Sequence, residues 1–154
     1  MKKSISPLTY LFAYLLLEAI LHFLFPITQV IAMPVLGLTS IALGVGINLW
    51  ADNLFKKYKT TVKPCEVPGK LVTEGIFRYS RHPMYLGFVL ILLGIAATLG
   101  SLSPFLAPIL MFLVSEIKFI PLEEKNLQEQ FGEEYGRYKA KVGRWLSFPG
   151  IKFP

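Results

Sequence analysis

Chemically active side chains are densest in one ten-residue run, Arg78-Tyr79-Ser80-Arg81-His82-Pro83-Met84-Tyr85-Leu86-Gly87. Pro83 is typical of the first turn of a helix, because the N–H that proline lacks would have no partner there. The free N–H groups of such a turn can bind an anion or a carboxylate. The run therefore predicts a helix that begins at Pro83 and holds His82 and Tyr85 at its start. Gly87 would let another backbone or a flat ligand approach closely.

A second cluster, Glu123-Glu124-Lys125, places two carboxylates side by side, and such a group could bind a cation. A purely structural interpretation is open for both clusters. Arginine and tyrosine at a helix end are common membrane anchors, glycine packs helices, and acids at a helix start offset its dipole. Taken together, the two clusters favour a binding site, provided that the fold brings them to the same side.

Long apolar runs occupy much of the chain and must position these clusters. The sequence of 154 residues is 53% hydrophobic and 17% charged, and a soluble domain of that size could not bury so much apolar surface. The runs are Leu8–Phe25, Val30–Trp50, Met84–Leu99 and Phe105–Leu122. The first two are near the roughly 20 residues that cross a bilayer, and the last two predict a tight helical hairpin. The start Met1-Lys2-Lys3 resembles a signal peptide, but no small-residue cleavage site follows, so a membrane helix is expected.

The distribution of charge predicts how these helices are oriented. In a four-helix arrangement with the N-terminus inside, the outer turns are Pro26 to Gln29 and Gly100 to Ser103, and neither contains a charge. All sixteen Lys and Arg residues then fall on one side, as the positive-inside rule requires. We therefore expect an integral membrane protein with both termini in the cytosol. The net charge of +6 indicates anchoring to the membrane rather than binding to nucleic acid.

The predicted fold is an all-α polytopic membrane protein with about four transmembrane helices and a C-terminal cytosolic amphipathic helix. The tail carries apolar residues at spacings of four, four, three and four, which is one face of a helix: Leu127, Phe131, Tyr135, Tyr138 and Val142. Gly132 and Gly136 predict a bend or break in this helix at the membrane surface. A single domain, 1–154, is expected to comprise two helices in 1–52, a cytosolic loop in 53–82 with the single cysteine Cys65, a hairpin in 83–122 and a tail in 123–154.

Several ordered motifs resemble the isoprenylcysteine carboxyl methyltransferases and their prokaryotic relatives, with phospholipid methyltransferases as more distant relatives. The motifs are Leu71-Val72-Thr73-Glu74-Gly75-Ile76-Phe77, the run from Arg81 to Gly87, Glu123-Glu124-Lys125-Asn126-Leu127, and Phe131-Gly132-Glu133-Glu134-Tyr135 with Tyr138 and Val142. The resemblance covers residues 70–149. It implies a methyltransferase that holds S-adenosylmethionine between the start of the third helix and the acidic pair. By position, the cofactor would contact Leu71, Val72, Phe77, His82, Pro83, Met84, Tyr85, Gly87, Glu123 and Glu124.

The resemblance also implies a lipophilic methyl acceptor that enters from the bilayer, most like an isoprenylcysteine carboxylate. In the carboxyl methyltransferases an Arg about one helical turn before the acidic pair holds the substrate carboxylate, whereas this chain has Phe119 there. The adjacent Lys118 is the candidate substrate-binding residue, although it would point about 100° away on a helix. A prenylated cysteine, a phospholipid amine, a quinone-like lipid and a small thiol therefore stay open as acceptors.

A few polar residues have predicted roles outside the cofactor contacts. Alignment alone can suffice when the acceptor is already a carboxylate or thiolate, whereas an amine or phenol would need a base, for which His82 is the nearest candidate. No metal-ligand set is indicated. Glu18 and His22 are four residues apart within the first helix and predict a mutually satisfied pair. Asn48 and Asp52 are expected to cap or line the cytosolic end of the second helix.

Two other functions stay open at this point. A membrane reductase that binds NADPH would share the fold, but the sequence has no further basic cluster for a dinucleotide phosphate. A non-enzymatic membrane scaffold would use the two polar clusters only as interfacial anchors. The sequence leaves the oligomeric state open.

Overall fold

The computed structural model describes residues 6–27, 32–60 and 69–147, and all regular secondary structure in these ranges is helical. The helices are α1 (Pro7–Leu24), α2 (Pro34–Lys57), α3 (Pro83–Leu99), α4 (Leu106–Val114) and α5 (Ile120–Lys139). Short 3-10 turns lie at Gly75–Arg78 and Ser103–Phe105, and a π-helical segment, Ser115–Phe119, joins α4 to α5. Lys2, Lys3, Gln29, Val30, Cys65 and Pro149, which entered the sequence predictions, lie outside the described residues.

Three helical stretches are long and apolar enough to cross a membrane, and α3 is a shorter apolar helix of 17 residues. The three are Pro7–Leu24, Pro34–Lys57 and Ser103–Lys139. Proline stands in the first turn of α1, α2 and α3, where it costs no hydrogen bond and its backbone angle suits the helix. The predicted helix start at Pro83 is therefore confirmed.

The second helix is longer than predicted. The expected loop began at residue 53, but α2 continues to Lys57. The additional turn is amphipathic, because Leu54 and Phe55 pack against the cluster of Val72 and Phe77 while Lys56 and Lys57 are exposed. Tertiary packing of one face therefore carries the helix past the end of the apolar run.

Helices α2 and α3 approach each other through two pairs of glycines. A Cβ atom on Gly44 would lie 2.6 Å from the Gly87 carbonyl oxygen, and one on Gly37 would lie 2.5 Å from that of Gly94. Each pair is seven residues from the other on both helices, and close backbone approach at such positions is typical of membrane helix contacts. The Ser40 hydroxyl donates to the Leu90 carbonyl oxygen between them, at 2.8 Å. The glycine pairs thus fix the register of these antiparallel helices.

The other side of α3 faces α1 and α4. Leu92 on α3 and Met111 on α4 are fully buried, and they form one apolar cluster with Leu11 and Phe88. Many other apolar side chains of α1 and α2 point outward; Phe12 and Val35 are 63% and 76% exposed. Such exposure suits a helix whose surroundings are lipid.

The tail folds back onto the start of α3. The five apolar residues predicted to share a face, Leu127, Phe131, Tyr135, Tyr138 and Val142, pack in one cluster with Leu71. The helix path breaks at Gly132, whose φ is 49° and ψ is −120°, a conformation that favours glycine. Gly136 keeps a helical backbone. A break was predicted at these glycines, and it occurs at the first of them.

Candidate active site

The two polar clusters of the sequence meet in the structure. Glu123 Oε2 lies 3.2 Å from His82 Nδ1, and the Tyr85 hydroxyl donates to Glu123 Oε1 at 2.6 Å. These partners are 41 and 38 residues apart in the chain. His82 precedes α3 as its N-cap and Tyr85 lies in its first turn, while Glu123 lies in the first turn of α5. The predicted meeting of the clusters is confirmed.

Glu124 faces a different set of partners. Arg81 Nη1 lies 2.9 Å from Glu124 Oε1, and Arg144 donates to both oxygens, from Nε at 3.1 Å and from Nη2 at 2.9 Å. His82 Nε2 lies 3.5 Å from Glu124 Oε1 but makes no hydrogen bond among the described residues. Glu124 therefore pairs with two arginines at once, Arg81 and Arg144.

The charges around His82 shift two pKa values. Burial disfavours the imidazolium, but Glu123 and Glu124 on either side outweigh that effect and raise the pKa of His82 above its ordinary value. Burial likewise opposes the charged form of Glu124, but His82, Arg144 and Arg81 lower the pKa of that carboxyl to about 2. Glu124 is therefore ionised under ordinary conditions, and His82 holds a proton more readily than a free histidine.

The last described residues, 143–147, form a return segment that lies along residues 79–82. The Arg81 N–H donates to the Gly143 carbonyl oxygen at 3.0 Å, and the Ser147 N–H donates to that of Tyr79 at 2.7 Å. The side chain of Arg144 also pairs with Glu116, which accepts a further hydrogen bond from the Trp145 indole N–H. The sequence analysis did not identify Arg144 as a site residue. Its carboxylate partners Glu124 and Glu116 lie 20 and 28 residues earlier in the chain, and no local pattern around Arg144 predicts them.

A cavity of about 510 Å³ opens beside Glu123. Eight of the ten predicted cofactor contacts line it: Leu71, Val72, Phe77, His82, Pro83, Met84, Tyr85 and Glu123. Glu123 is the more accessible acid of its pair, with 22% of its side chain exposed against 7% for Glu124. Cavities of about 300–1,000 Å³ with mostly apolar walls and a few fixed polar groups are typical of cofactor sites.

Three of the predicted site residues are not among the described residues that line the cavity. Gly87 packs against α2, where a Cβ atom would lie 2.1 Å from Asn48 Nδ2. Glu124 is absent from the described lining of the cavity, and so is Lys118. The exposed Lys118 donates from Nζ to the Tyr10 hydroxyl at 2.8 Å. At the expected Arg position, Phe119 is 1% exposed, with its ring stacked on that of Tyr85 at 5.9 Å.

From Glu123 the cavity continues along α2. Asn48 and Asp52 line it together with apolar residues of three helices: Pro7, Leu8, Val45, Leu49, Phe88 and Ile91. Asn48 Oδ1 is buried without a hydrogen-bond partner among the described residues. Sequence reasoning placed Asn48 and Asp52 at the end of α2 without assigning either to a site.

The predicted pair of Glu18 and His22 is wrong. His22 Nδ1 lies 2.8 Å from the Ser101 hydroxyl oxygen, and both carboxylate oxygens of the fully buried Glu18 lack a hydrogen-bond partner among the described residues. A spacing of four residues brings two side chains near each other on a helix, but here His22 contacts Ser101, in the turn after α3, instead of Glu18.

Comparison with known proteins identifies relatives of this chain. A profile of the family described as "Phospholipid methyltransferase" matches residues 32–134, more than half of the chain. An uncharacterized protein of Haemophilus influenzae is 46% identical over 63 residues, which cover 41% of this chain and 100% of that protein. The protein-S-isoprenylcysteine O-methyltransferase of Schizosaccharomyces pombe is 41% identical over 75 residues, 47% of this chain and 30% of that enzyme. The methanethiol S-methyltransferase of Pseudomonas deceptionensis is 36% identical over 81 residues, 52% of this chain and 29% of that enzyme. The chain thus spans less than a third of the length of these two enzymes.

Proposed function

The chain belongs to the phospholipid methyltransferase family, and on that premise we propose that it transfers a methyl group from S-adenosylmethionine to a lipophilic acceptor. The observation that carries the proposal is the carboxylate of Glu123, which Tyr85 and His82 hold on the wall of a cavity of about 510 Å³. The family supports methyl transfer over the reductase and scaffold alternatives.

The residues of the cavity fit this cofactor. S-adenosylmethionine supplies an electrophilic methyl group on a sulfonium, and it also carries an ammonium, a carboxylate and a flat base. Glu123 offers a fixed negative charge to a cation, and the apolar side chains of Leu71, Val72 and Phe77 offer walls for the base. The first turn of α3, after Pro83, presents backbone N–H groups to an anion. We propose that these residues, with His82, Met84 and Tyr85, hold the cofactor.

Glu124 stabilises the site without contacting the cofactor. It pairs both with Arg81, which precedes His82, and with Arg144 of the return segment. Because two arginines neutralise Glu124 and Glu116 nearby, Glu123 is the one of these three glutamates that can attract a cation. Preorganised charge of this kind acts strongly where water is excluded.

Membrane placement explains the two ends of the cavity. We propose that α3 also crosses the membrane, which makes four crossings with the three long helical stretches. We further propose that both termini are cytosolic and that the part of α5 after Leu122 lies at the cytosolic membrane surface. Lys70 and Asp52 line the cavity at that end, where a polar cofactor would enter. Leu8 on α1 and Leu49 on α2 also line it and are 49% and 58% exposed. The cavity therefore opens sideways between these helices, where a lipophilic acceptor would enter.

Transfer of label from methyl-labelled S-adenosylmethionine tests the proposal. Purified protein in nanodiscs is incubated with lipid and peptide extracts, and mass spectrometry identifies any molecule that gains a methyl group. Glu123→Gln should weaken cofactor binding in calorimetry by at least about tenfold, since a charged hydrogen-bonded partner is worth about 1.5–3 kcal/mol.

Glu129→Gln is the matched control, because Glu129 lies on the same helix with its side chain 66% exposed. It should bind the cofactor like the unchanged protein. Equal affinities of the two variants, or no labelled product from any extract, would contradict the proposed function.

A further inference from the structure

The two ring nitrogens of His82 face different carboxylates. Nδ1 lies 3.2 Å from Glu123 Oε2, and Nε2 lies 3.5 Å from Glu124 Oε1. An ionised carboxylate can only accept a hydrogen bond, and a neutral imidazole has one proton to donate, so neutral His82 can serve one of the two acids at a time. Nδ1 is within hydrogen-bond distance of Glu123, whereas Nε2 makes no hydrogen bond among the described residues. The geometry therefore places the proton of neutral His82 on Nδ1.

This tautomer directs the lone pair of Nε2 toward Glu124, whose pKa of about 2 keeps it ionised. Two acceptors that face each other are unfavourable unless other donors satisfy the carboxylate. Arg144 donates from Nε to Glu124 Oε1 at 3.1 Å and from Nη2 to Oε2 at 2.9 Å. Arg81 reaches Oε1 with Nη1, which also donates to the Tyr135 hydroxyl. Arg144 is thus the cation that engages both oxygens of Glu124.

Arg144 is itself held from several directions. Its carbonyl oxygen accepts a hydrogen bond from the His82 N–H at 3.2 Å and another from the Ser80 hydroxyl at 3.0 Å. Its Nη1 donates to Glu116, which also accepts from the Trp145 indole N–H at 2.9 Å. The guanidinium therefore has a fixed position beside Glu124.

The charged and titratable groups around His82 belong to several elements. Those that the structure describes are Glu123 and Glu124 of α5, Tyr85 of α3, Arg81 before it, Arg144 of the return segment, and Asp52 and Lys70 on the wall of the adjoining cavity. Glu123, which lines the cavity, is held by His82 and by the neutral Tyr85 hydroxyl. Glu124, which is not among the described lining residues, is held by two cations.

We propose that Arg144 is a positioning residue, which keeps the proton of neutral His82 on Nδ1, against Glu123, by engaging both oxygens of Glu124. This inference rests on the proposed function, in which Glu123 meets the cofactor's cation. Without Arg144 the proton would move to Nε2 and donate to Glu124, with no net gain or loss of protons. Nδ1 would then present a lone pair to Glu123, which would lose one of the two hydrogen bonds that orient it.

NMR of protein labelled with 15N-histidine in nanodiscs tests the proposal without any cofactor. His82→Gln assigns the signals, since His22 is the other histidine. At a pH above the pKa of His82, the unchanged protein should carry the proton on Nδ1, and Arg144→Gln should carry it on Nε2. Because Arg144→Gln also removes a positive charge near the ring, it should raise the pKa of His82, with a proton affinity about tenfold higher.

A second substitution at Glu124 tests whether Arg144 acts through that residue. A glutamine there can donate an amide N–H to the lone pair of Nε2. The double variant Arg144→Gln with Glu124→Gln should therefore carry the proton on Nδ1 again. If it stays on Nε2 in the double variant, the effect does not run through Glu124 and the proposal is wrong.

Two further variants separate this role from anchoring of the return segment. Trp145→Phe removes the indole hydrogen bond to Glu116 and changes no charge, and Arg137→Gln removes an arginine whose side chain is 73% exposed. Neither should change the tautomer or the pKa of His82. If Arg144 served only as an anchor, Arg144→Gln would free His82 and its pKa would fall toward the ordinary value. That fall, or a proton that stays on Nδ1 in Arg144→Gln, would overturn the proposal.

Calorimetry of S-adenosylmethionine binding provides a separate measurement. Arg144→Gln should weaken binding about tenfold at neutral pH, since Glu123 loses a hydrogen bond to a charged group. Affinity equal to that of the unchanged protein would contradict a contribution of Arg144 to cofactor binding. If no variant and not even the unchanged protein binds S-adenosylmethionine, the proposed function fails, while the His82 signals of the free protein still report whether Arg144 sets the position of the proton.

Discussion

At the scale of single residues, His82 and a bound cation compete for the charge of Glu123. The pKa of His82 is raised by the carboxylates of Glu123 and Glu124 against the opposing effect of burial. Arg81 and Arg144 offset Glu124 and Glu116, so Glu123 is neutralised in the free protein when His82 carries a proton. A cofactor cation placed at Glu123 removes that advantage and lowers the pKa of His82.

Binding of S-adenosylmethionine should therefore release a proton from His82. Because the pKa of His82 is raised, the proton is present below that pKa and absent above it, so cofactor affinity should fall as pH decreases through it. Calorimetry in buffers of different ionisation enthalpy measures the released proton directly. His82→Gln should bind without release, and Glu129→Gln should release as much as the unchanged protein. Proton uptake on binding, or tighter binding at lower pH, would contradict the competition.

At the scale of elements, the contact between α2 and α3 should depend on particular glycines rather than on glycine content. A methyl group on Gly44 would lie 2.6 Å from a backbone oxygen of α3, whereas nothing lies within 4 Å of the Cβ position of Gly46. Gly44→Ala should destabilise the protein by about 1–3 kcal/mol, as overpacking does. Gly46→Ala should be neutral or stabilising, because alanine is favoured over glycine within a helix. Thermal unfolding in detergent measures both, and a Gly46→Ala variant less stable than Gly44→Ala would contradict this packing.

The break in α5 offers a second comparison of two glycines. Gly132 has a φ of 49° and a ψ of −120°, whereas Gly136 is helical, and neither has atoms within 4 Å of its Cβ position. Gly132→Ala should therefore cost about 1–3 kcal/mol of backbone strain, and Gly136→Ala should stabilise the tail. The strain should loosen Tyr135, whose hydroxyl accepts a hydrogen bond from Arg81, and Tyr138, whose hydroxyl donates to the Phe77 carbonyl oxygen. Hydrogen exchange of residues 133–147 should be faster in Gly132→Ala alone; protection unchanged in that variant would show that the break is not required.

The elements also show where sequence reasoning stops. Phe119 stands where the resemblance predicts an Arg, and Ser115–Phe119 is π-helical; a wider turn changes the direction of each later side chain. No local pattern predicts that widening. The pairing of Arg144 with Glu116 and Glu124 likewise depends on the chain returning past α3, and the contact of His22 with Ser101 depends on the turn after α3.

At the scale of the whole molecule, the parts that could be predicted are those that each run of sequence determines by itself. Apolar runs gave the helices, Pro83 gave the start of α3, and the motifs of the C-terminal half gave eight residues of one cavity. Asn48 and Asp52 line that cavity too, but they belong to a different helix, and only the register of the glycine pairs brings them there. Local patterns therefore predict the residues that the C-terminal half contributes to the cavity better than those that α2 contributes.

The topology of the molecule rests on α3, which is short for a membrane crossing. Its 17 residues span about 26 Å at 1.5 Å per residue, against a hydrocarbon core of about 30 Å, a mismatch that local thinning of the bilayer can absorb. His82 precedes α3, and Glu123 follows α4 and the π-helical segment. Their contact requires that the chain cross outward in α3 and return in α4, or that it cross in neither.

Labelling with a membrane-impermeant maleimide distinguishes these two cases. Cys65, the single cysteine, precedes α3 in sequence, and Leu102, 51% exposed, lies in the turn that follows it. On the proposed topology Cys65 should react in inside-out vesicles and be protected in right-side-out ones, because the basic residues on either side of it in the sequence would stay in the cytosol. The double variant Cys65→Ser with Leu102→Cys should show the reverse pattern. If both positions reacted from the same side, α3 would not cross the membrane, and the proposed four crossings would be wrong.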